Sequence, residues 1–309
     1  MKAVIINEYG DENVLNYTDA PRPEPQSDEI LIKVHAAGFN QVDVKLREGM
    51  GKMFGLEPPL ILGVEVAGTI EQTGADVKNF GIGDEVFVLG NPMKNGGYAE
   101  YAIAKESETG LKPKNIDFET AAAIPVGALT SWQALFDLAH LEPGQTILIH
   151  GASGSVGSLA VQLAKIKGAR VFATASGKNE EFVRNLGADE FVDYTQQKFE
   201  EVVKDVDVVF DTVGGDTLER SFQVLKKGGF LVTTVQPPPE EKAGEFGVQA
   251  VMILVEPNAD ELKQVSRLVE QGDLKAHVET VLPLSEIKKA HEFSKNGHTR
   301  GKIVLRVNE

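Results

Sequence analysis

The sequence predicts an α/β protein of two domains, a mostly-β domain and a doubly wound parallel-sheet domain. Three observations carry this. The chain has 309 residues, 42% hydrophobic and 25% charged, an ordinary globular composition and length enough for about two domains. Its first ~120 residues read as short β-rich runs punctuated by Gly, Pro and Asp. From about Gln145 the rhythm changes to short apolar strands alternating with helical spacing, the signature of βαβ units and a parallel sheet.

Taken in order, runs 30–35 and 64–73 are rich in branched and apolar residues and are bounded by turn formers, so they are strands. Runs 83–88 and 96–101 each begin in a glycine turn and continue as a strand. Asp117 is an N-cap type with Thr120 at the third position, so a helix starts there. In the second domain the strands fall at 146–150, 170–174, 191–193, 206–210 and 230–234, and the helices at 155–167, 179–186 and 217–225. Residues 236–244 hold three consecutive prolines and read as an exposed loop, because proline cannot continue a sheet ladder. The apolar run 248–255 lies at a sheet edge. From Lys275 the tail returns to strand–helix–strand and is expected to pack back on the first domain. The expected division is 1–124 with 272–309 for the first domain and 125–271 for the second.

Composition excludes several classes. There is no Cys, which removes disulfides, a thiolate nucleophile and any Cys-ligated zinc or iron–sulfur centre. The six histidines show no metal-like spacing, and no Ser/His/Asp set fits a nucleophile elbow. The net charge of −15 repels phosphate backbones, so nucleic acid is not expected as a partner. No apolar run reaches the roughly 18 residues of a membrane span. The start of the chain is charged too soon for a signal peptide, so a cytoplasmic protein is expected.

The chemistry is carried by Gly151-Ala152-Ser153-Gly154-Ser155-Val156-Gly157, directly after a strand and before a helix. Glycines let the backbone approach a pyrophosphate, and the helix start offers free N–H groups to it. Ser153, Gly154, Ser155, Val156 and Gly157 are therefore expected to bind a dinucleotide. The next strand ends Ala173-Thr174-Ala175-Ser176-Gly177-Lys178 without the acid that would accept both ribose hydroxyls of NAD. A hydroxyl at Ser176 and a cation at Lys178 suit the 2′-phosphate of NADPH instead.

The run from His150 through Lys165 resembles the medium-chain dehydrogenase/reductases, specifically their zinc-independent quinone oxidoreductase branch. So do Ala37-Gly38-Phe39-Asn40-Gln41-Val42-Asp43, Gly63-Val64-Glu65-Val66-Ala67-Gly68, Gly96-Gly97-Tyr98-Ala99-Glu100-Tyr101 and Pro125-Val126-Gly127-Ala128-Leu129-Thr130. Leu186-Gly187-Ala188-Asp189 and Gly301-Lys302-Ile303-Val304-Leu305 extend the likeness over almost the whole chain. It implies a GroES-like, mostly-β catalytic domain plus a Rossmann domain, with the active site in the cleft between them. Zinc-bearing relatives place a Cys ligand at the Asn40 position and a His ligand at the Val64 position, so zinc is not expected here. The stretch 89–97 is also too short for a structural zinc lobe.

The resemblance also implies roles for single residues. Asn40 stands where an amide can meet the nicotinamide or the substrate carbonyl. Lys45 is either a solvated helix-end charge or lies near the cofactor or substrate. Thr130 matches a threonine beside the nicotinamide-side ribose or phosphate, and Tyr194 a tyrosine near the adenosine 2′-phosphate. Val213, Gly214 and Val235 follow the fourth and fifth strands, where the cofactor's nicotinamide half would lie. Arg300 is either a surface charge or reaches the cofactor. One departure stands out: residues 50–55 hold no tyrosine, where many quinone oxidoreductases place one, so no phenol from this segment can donate a proton.

These residues imply an oxidoreductase that carries hydride from NADPH to a quinone or an α,β-unsaturated carbonyl. Such acceptors spread the incoming charge onto oxygen and need no Lewis acid. Asn40 and backbone N–H groups are the candidate donors to that oxygen. The resemblance implies a homodimer joined by strand pairing along 248–255; the other reading of that run is an interior strand. An enoyl-thioester reductase and a non-catalytic NADPH-binding relative remain open as alternatives.

Overall fold

The computed structural model describes residues 1–90, 96–295 and 299–307. They form two compact units. The first comprises Met1–Val126, Pro257–Gly272 and the chain from Ala276; the second comprises Gly127–Glu256 with Asp273–Lys275.

The first unit opens with β1 (Lys2–Ile6), β2 (Leu15–Asp19) and the long β3 (Glu29–Gly38), followed by the short helix α1 (Gln41–Arg47). Then come β4 (Leu60–Ile61), β5 (Glu65–Thr73), β6 (Glu85–Leu89), β7 (Tyr101–Lys105), β8 (Thr109–Leu111) and the single-turn α2 (Phe118–Ala121). The Asp117 carboxylate caps that turn by accepting from Thr120 N at 2.8 Å. The chain crosses into the second unit within α3 (Pro125–Trp132).

The second unit alternates as read from the sequence. It runs β9 (Thr146–His150), α4 (Ser155–Lys167), β10 (Arg170–Ala175), α5 (Glu180–Asn185), β11 (Glu190–Asp193) and α6 (Phe199–Val202). It continues with β12 (Val206–Asp211), α7 (Gly215–Ser221), β13 (Leu225–Thr233), α8 (Glu240–Phe246) and β14 (Gln249–Met252). All pairings in its six-stranded sheet are parallel, in the order β11-β10-β9-β12-β13-β14. The order reverses between β9 and β12, the switch point at which doubly wound sheets take their ligands. Val192, Phe199, Val209, Phe222 and Leu231 are among the side chains of its core.

The expected loop at 236–244 is partly helix: α8 begins at Glu240 with Pro239 as its N-cap residue. Proline stops a ladder, but its fixed φ suits a helix entry. The chain then returns to the first unit at Pro257, earlier than the position 272 read from the sequence. The reason is α9 (Ala259–Gln271), whose apolar face of Leu262, Val265 and Val269 is buried, with Ser266 Oγ donating to Leu111 O of β8 at 3.1 Å.

Beyond it lie β15 (Val278–Pro283), α10 (Ile287–Lys295) and β16 (Lys302–Arg306). β16 pairs antiparallel with β3 and parallel with β15, so the tail completes the first unit's main sheet, β15-β16-β3-β5-β6-β8 with β7 also on β3. A smaller sheet orders β2-β1-β4. Ile30, Ile32, Val66, Val86 and Leu305 are packed in the core of this unit. Among the described residues no helix is long and apolar enough to cross a membrane.

Candidate functional site

In the second unit the glycine-rich turn lies between β9 and α4 as the sequence implied. Gly157 is buried, and a Cβ there would meet Gly151 O at 2.3 Å, so only glycine allows the helix to start this close to the turn. Gly154 is the N-cap residue of α4 with an ordinary φ of −79°, and a Cβ there would meet nothing closer than Gly151 O at 3.4 Å. A side chain there would therefore project into open space over the helix start. Ser153, Ser155 and Val156 are half-buried around it. Thr130 is buried in α3, and Ser131 of the same helix donates to Gly127 O at 2.7 Å and Val156 O at 3.1 Å.

At the tip of β10, Ser176 is half-buried and Lys178 exposed. Tyr194 is half-exposed beyond β11, its N–H donating to Ala175 O at 3.3 Å. Beyond β12 the turn is built by Asp211, a residue the sequence reading passed over. Its buried carboxylate accepts from Val213 N at 2.9 Å, from Gly214 N at 3.1 Å and from Thr233 Oγ1 at 3.1 Å. Gly214 has φ +77°, which favours glycine, and a Cβ there would press on Val235 Cγ1 at 2.7 Å. The structure thus brings Val213, Gly214 and Val235 together. An acid at a strand end before a glycine pair was the available signal for Asp211.

In the first unit Asn40 is buried at the start of α1, and its carboxamide is committed. Oδ1 accepts from Lys302 Nζ at 2.6 Å. Nδ2 donates to Glu65 Oε2 at 3.1 Å and Gly38 O at 3.4 Å. An amide has two hydrogens, so neither is left for a substrate oxygen. This corrects the expectation that Asn40 itself donates to the developing charge. Lys302 also pairs with Glu65 Oε2 at 2.5 Å, with side-chain exposures of 2% and 0%. The other Glu65 oxygen accepts from Val126 N at 2.8 Å.

Asp43, fully buried beside them, accepts from Tyr98 Oη at 2.7 Å, Asn40 N at 3.0 Å and Gly63 N at 3.2 Å. Burial nevertheless raises its carboxyl to about 6. Lys45 projects from α1 into solvent, with no hydrogen bond or ion pair among the described residues. Arg300 belongs to the first unit, where its N–H donates to Glu279 Oε2 at 2.8 Å.

Segment 50–55 holds no tyrosine, but a phenol from elsewhere in the chain stands beside it. It is that of Tyr9, which donates to Leu56 O. A Cβ on Gly51 would lie 2.9 Å from Tyr9 Oη. Its hydrogen is spent on that carbonyl, so it secures the turn. Met53 and Phe54 of the same turn are exposed.

The positions at which zinc-bearing relatives hold their ligands do not fit zinc here. Val64 has no lone pair, Asn40 Oδ1 accepts from an ammonium, and the adjacent Glu65 carboxylate already carries that cation. A divalent ion would face Lys302 at close range. Among the described residues no three His, Asp or Glu side chains converge on a metal site. Positions 91–95 of the 89–97 stretch, and His298, lie outside the described residues.

Residues 26–114 match the alcohol dehydrogenase GroES-like domain, and residues 186–305 match the zinc-binding dehydrogenase family. The chain is 36% identical to the NADPH-dependent alkenal/one oxidoreductase, chloroplastic, of Arabidopsis thaliana, over 99% of this chain and 79% of the relative. It is 35% identical to the chloroplast envelope quinone oxidoreductase homolog of the same plant, over 99% and 98%. The quinone oxidoreductase structure from Coxiella burnetii superposes with a TM-score of 0.94 at 36% identity, covering 100% of this chain and 99% of that one. Two units of this kind, one a GroES-like β domain and one a parallel dinucleotide-type sheet, define an oxidoreductase. The chain belongs to the quinone oxidoreductase branch of the medium-chain dehydrogenase/reductase superfamily.

Proposed function

We propose that this oxidoreductase uses NADPH, without zinc, to reduce quinones or α,β-unsaturated carbonyls. The observation that carries the proposal is the buried Lys302 ammonium on Glu65 and Asn40, which leaves no donor set for a Lewis acid. A saturated ketone would need that acid; a conjugated carbonyl or quinone does not. The names of the alkenal/one oxidoreductase and quinone oxidoreductase relatives support the same acceptors.

The bound nicotinamide would supply a hydride, and the chain supplies position and field. Gly154, Ser155, Val156 and Gly157 hold the pyrophosphate against the start of α4. Ser153, Ser176 and Lys178 hold the 2′-phosphate, with Tyr194 beside them. Asp211 sets the turn that presents Val213 and Gly214, with Val235, to the nicotinamide half, and Thr130 completes that wall. Lys45 contributes positive charge on the substrate side, and Met53 and Phe54 offer apolar contact. The proton that completes the reduction comes from water. Arg300 acts as a surface charge.

The reading also places the protein in the cytoplasm as a homodimer joined along β14, an edge strand with exposed Leu254 just beyond it. The test is NADPH oxidation measured side by side with quinones, 2-alkenals, enones and saturated ketones. Turnover confined to the conjugated acceptors is expected. Rapid oxidation of simple alcohols with NADP⁺ would overturn the proposal.

A further inference from the structure

We infer that Asn179 is a specificity-positioning residue, which aims two serine hydroxyls at the 2′-phosphate and so favours NADPH over NADH. The inference rests on the cofactor reading above. Asn179 is only 3% exposed, between the tip of β10 and the start of α5. Its Nδ2 donates to Ser153 Oγ at 3.2 Å and to Ser176 Oγ at 3.1 Å. One amide thus ties the glycine-rich turn to the tip of the neighbouring strand. These are the two places on which phosphate groups of a dinucleotide bear.

The direction of these bonds matters. Each serine oxygen is used as an acceptor, so each hydroxyl keeps its hydrogen for another partner. An aspartate at 179 would do the reverse, because a carboxylate can only accept. Asn179 therefore turns two ambivalent hydroxyls into two donors facing the same region, which suits an anion. Half-buried hydroxyls held this way lose little freedom when a phosphate arrives.

The acid beside Gly177 is held by donors of its own. Asp193, at the end of β11, accepts from Thr195 N at 3.0 Å and Thr195 Oγ1 at 2.7 Å. These bonds, with one from the Gly177 N–H, keep its carboxyl below the usual range. The phosphate-facing side is thus set by Ser153, Ser176 and Lys178, with Asn179 buried behind the serines.

The experiment is calorimetric titration of the full chain with NADPH and with NADH, for the wild type, Asn179→Ala, Asn179→Asp, Ser176→Ala and the Asn179→Ala/Ser176→Ala pair. Asn179→Ala should weaken NADPH by about tenfold, roughly the worth of one charge-assisted hydrogen bond, and leave NADH within about threefold. Asn179→Asp, which keeps the side-chain shape and therefore the fold, should weaken NADPH further, by about a hundredfold. The losses in Asn179→Ala and Ser176→Ala should not add in the double variant. Equal loss of both cofactors in the two Asn179 variants, or full additivity, would overturn the inference and leave NADPH preference intact. Equal wild-type affinity for NADPH and NADH would instead overturn the cofactor reading beneath it.

Discussion

Lys302 Nζ lies 2.5 Å from Glu65 Oε2, and neither side chain reaches water. Removing one partner of a buried pair leaves the other charge uncompensated, at a cost of about 3–5 kcal/mol. Lys302→Met should lower unfolding stability by that order in urea titrations. Glu65→Gln combined with Lys302→Met should recover part of the loss. Asn40→Ala should likewise show in stability before kcat, since its amide serves this pair. Additive losses in the double variant would show that the pair is not coupled.

Exhaustive chelation should leave activity unchanged, and elemental analysis should find no stoichiometric zinc. Zinc lost together with turnover would contradict the fit of the Asn40, Val64 and Glu65 side chains.

Lys178→Glu places a negative charge beside Ser176. NADPH affinity should fall by about tenfold or more, the range of a hydrogen bond to a charged group, while NADH is spared or favoured. Parallel titrations with the two cofactors measure this. An unchanged preference would remove Lys178 from the 2′-phosphate site.

Two buried histidines should make the fold acid-sensitive. His150 Nε2 lies 3.1 Å from Ser221 Oγ, whose hydroxyl donates to Thr217 O, so the imidazole donates there. Its Nδ1 then accepts from Thr174 Oγ1 at 2.9 Å, and the ring is neutral. His291 Nδ1 accepts from Arg47 at 3.0 Å. Burial, then the charges of Arg220 and Arg47, push these groups down to about 3. Below pH 6.5 the unfolded chain takes protons that the folded one refuses. Stability is therefore full above about 6.5 and falls toward 3, by about 1.4 kcal/mol per group per pH unit. Asp43, raised to about 6, acts oppositely: the folded chain takes its proton first, so its share is lost as pH rises through 6. His291→Asn should therefore flatten the decline between pH 6.5 and 5 by about 2 kcal/mol relative to the wild type. Parallel pH curves for the two proteins would refute this.

The parallel-sheet half was legible because its signals are local. A strand, a glycine turn and a helix follow one another between Thr146 and Lys167, and the period switches between 2 and 3.6 along each unit. The Asn40 site was legible in position but not in chemistry. Its partners Glu65 and Lys302 stand 25 and 262 residues away, and no spacing rule connects them. Asn179 reads as an ordinary helix-start residue; that its amide spans two serines depends on how two loops meet. Tyr9 was invisible for the same reason, since its target Leu56 lies 47 residues on. Around Pro239 the reading failed differently, because one residue both ends a ladder and admits a helix.

β16 sits between β15 and β3, which gives the order of synthesis a consequence. Residues 127–256 carry all six strands of their own sheet, so a nascent chain can close that sheet as soon as it clears the ribosome. β3 emerges earlier but must wait for β16, and the Glu65 carboxylate has no cation until Lys302 arrives. The part of the protein translated first is thus the part completed last. A chain stalled before Lys302 would hold a finished second unit beside a first unit with an open sheet edge and an unneutralised acid in its core.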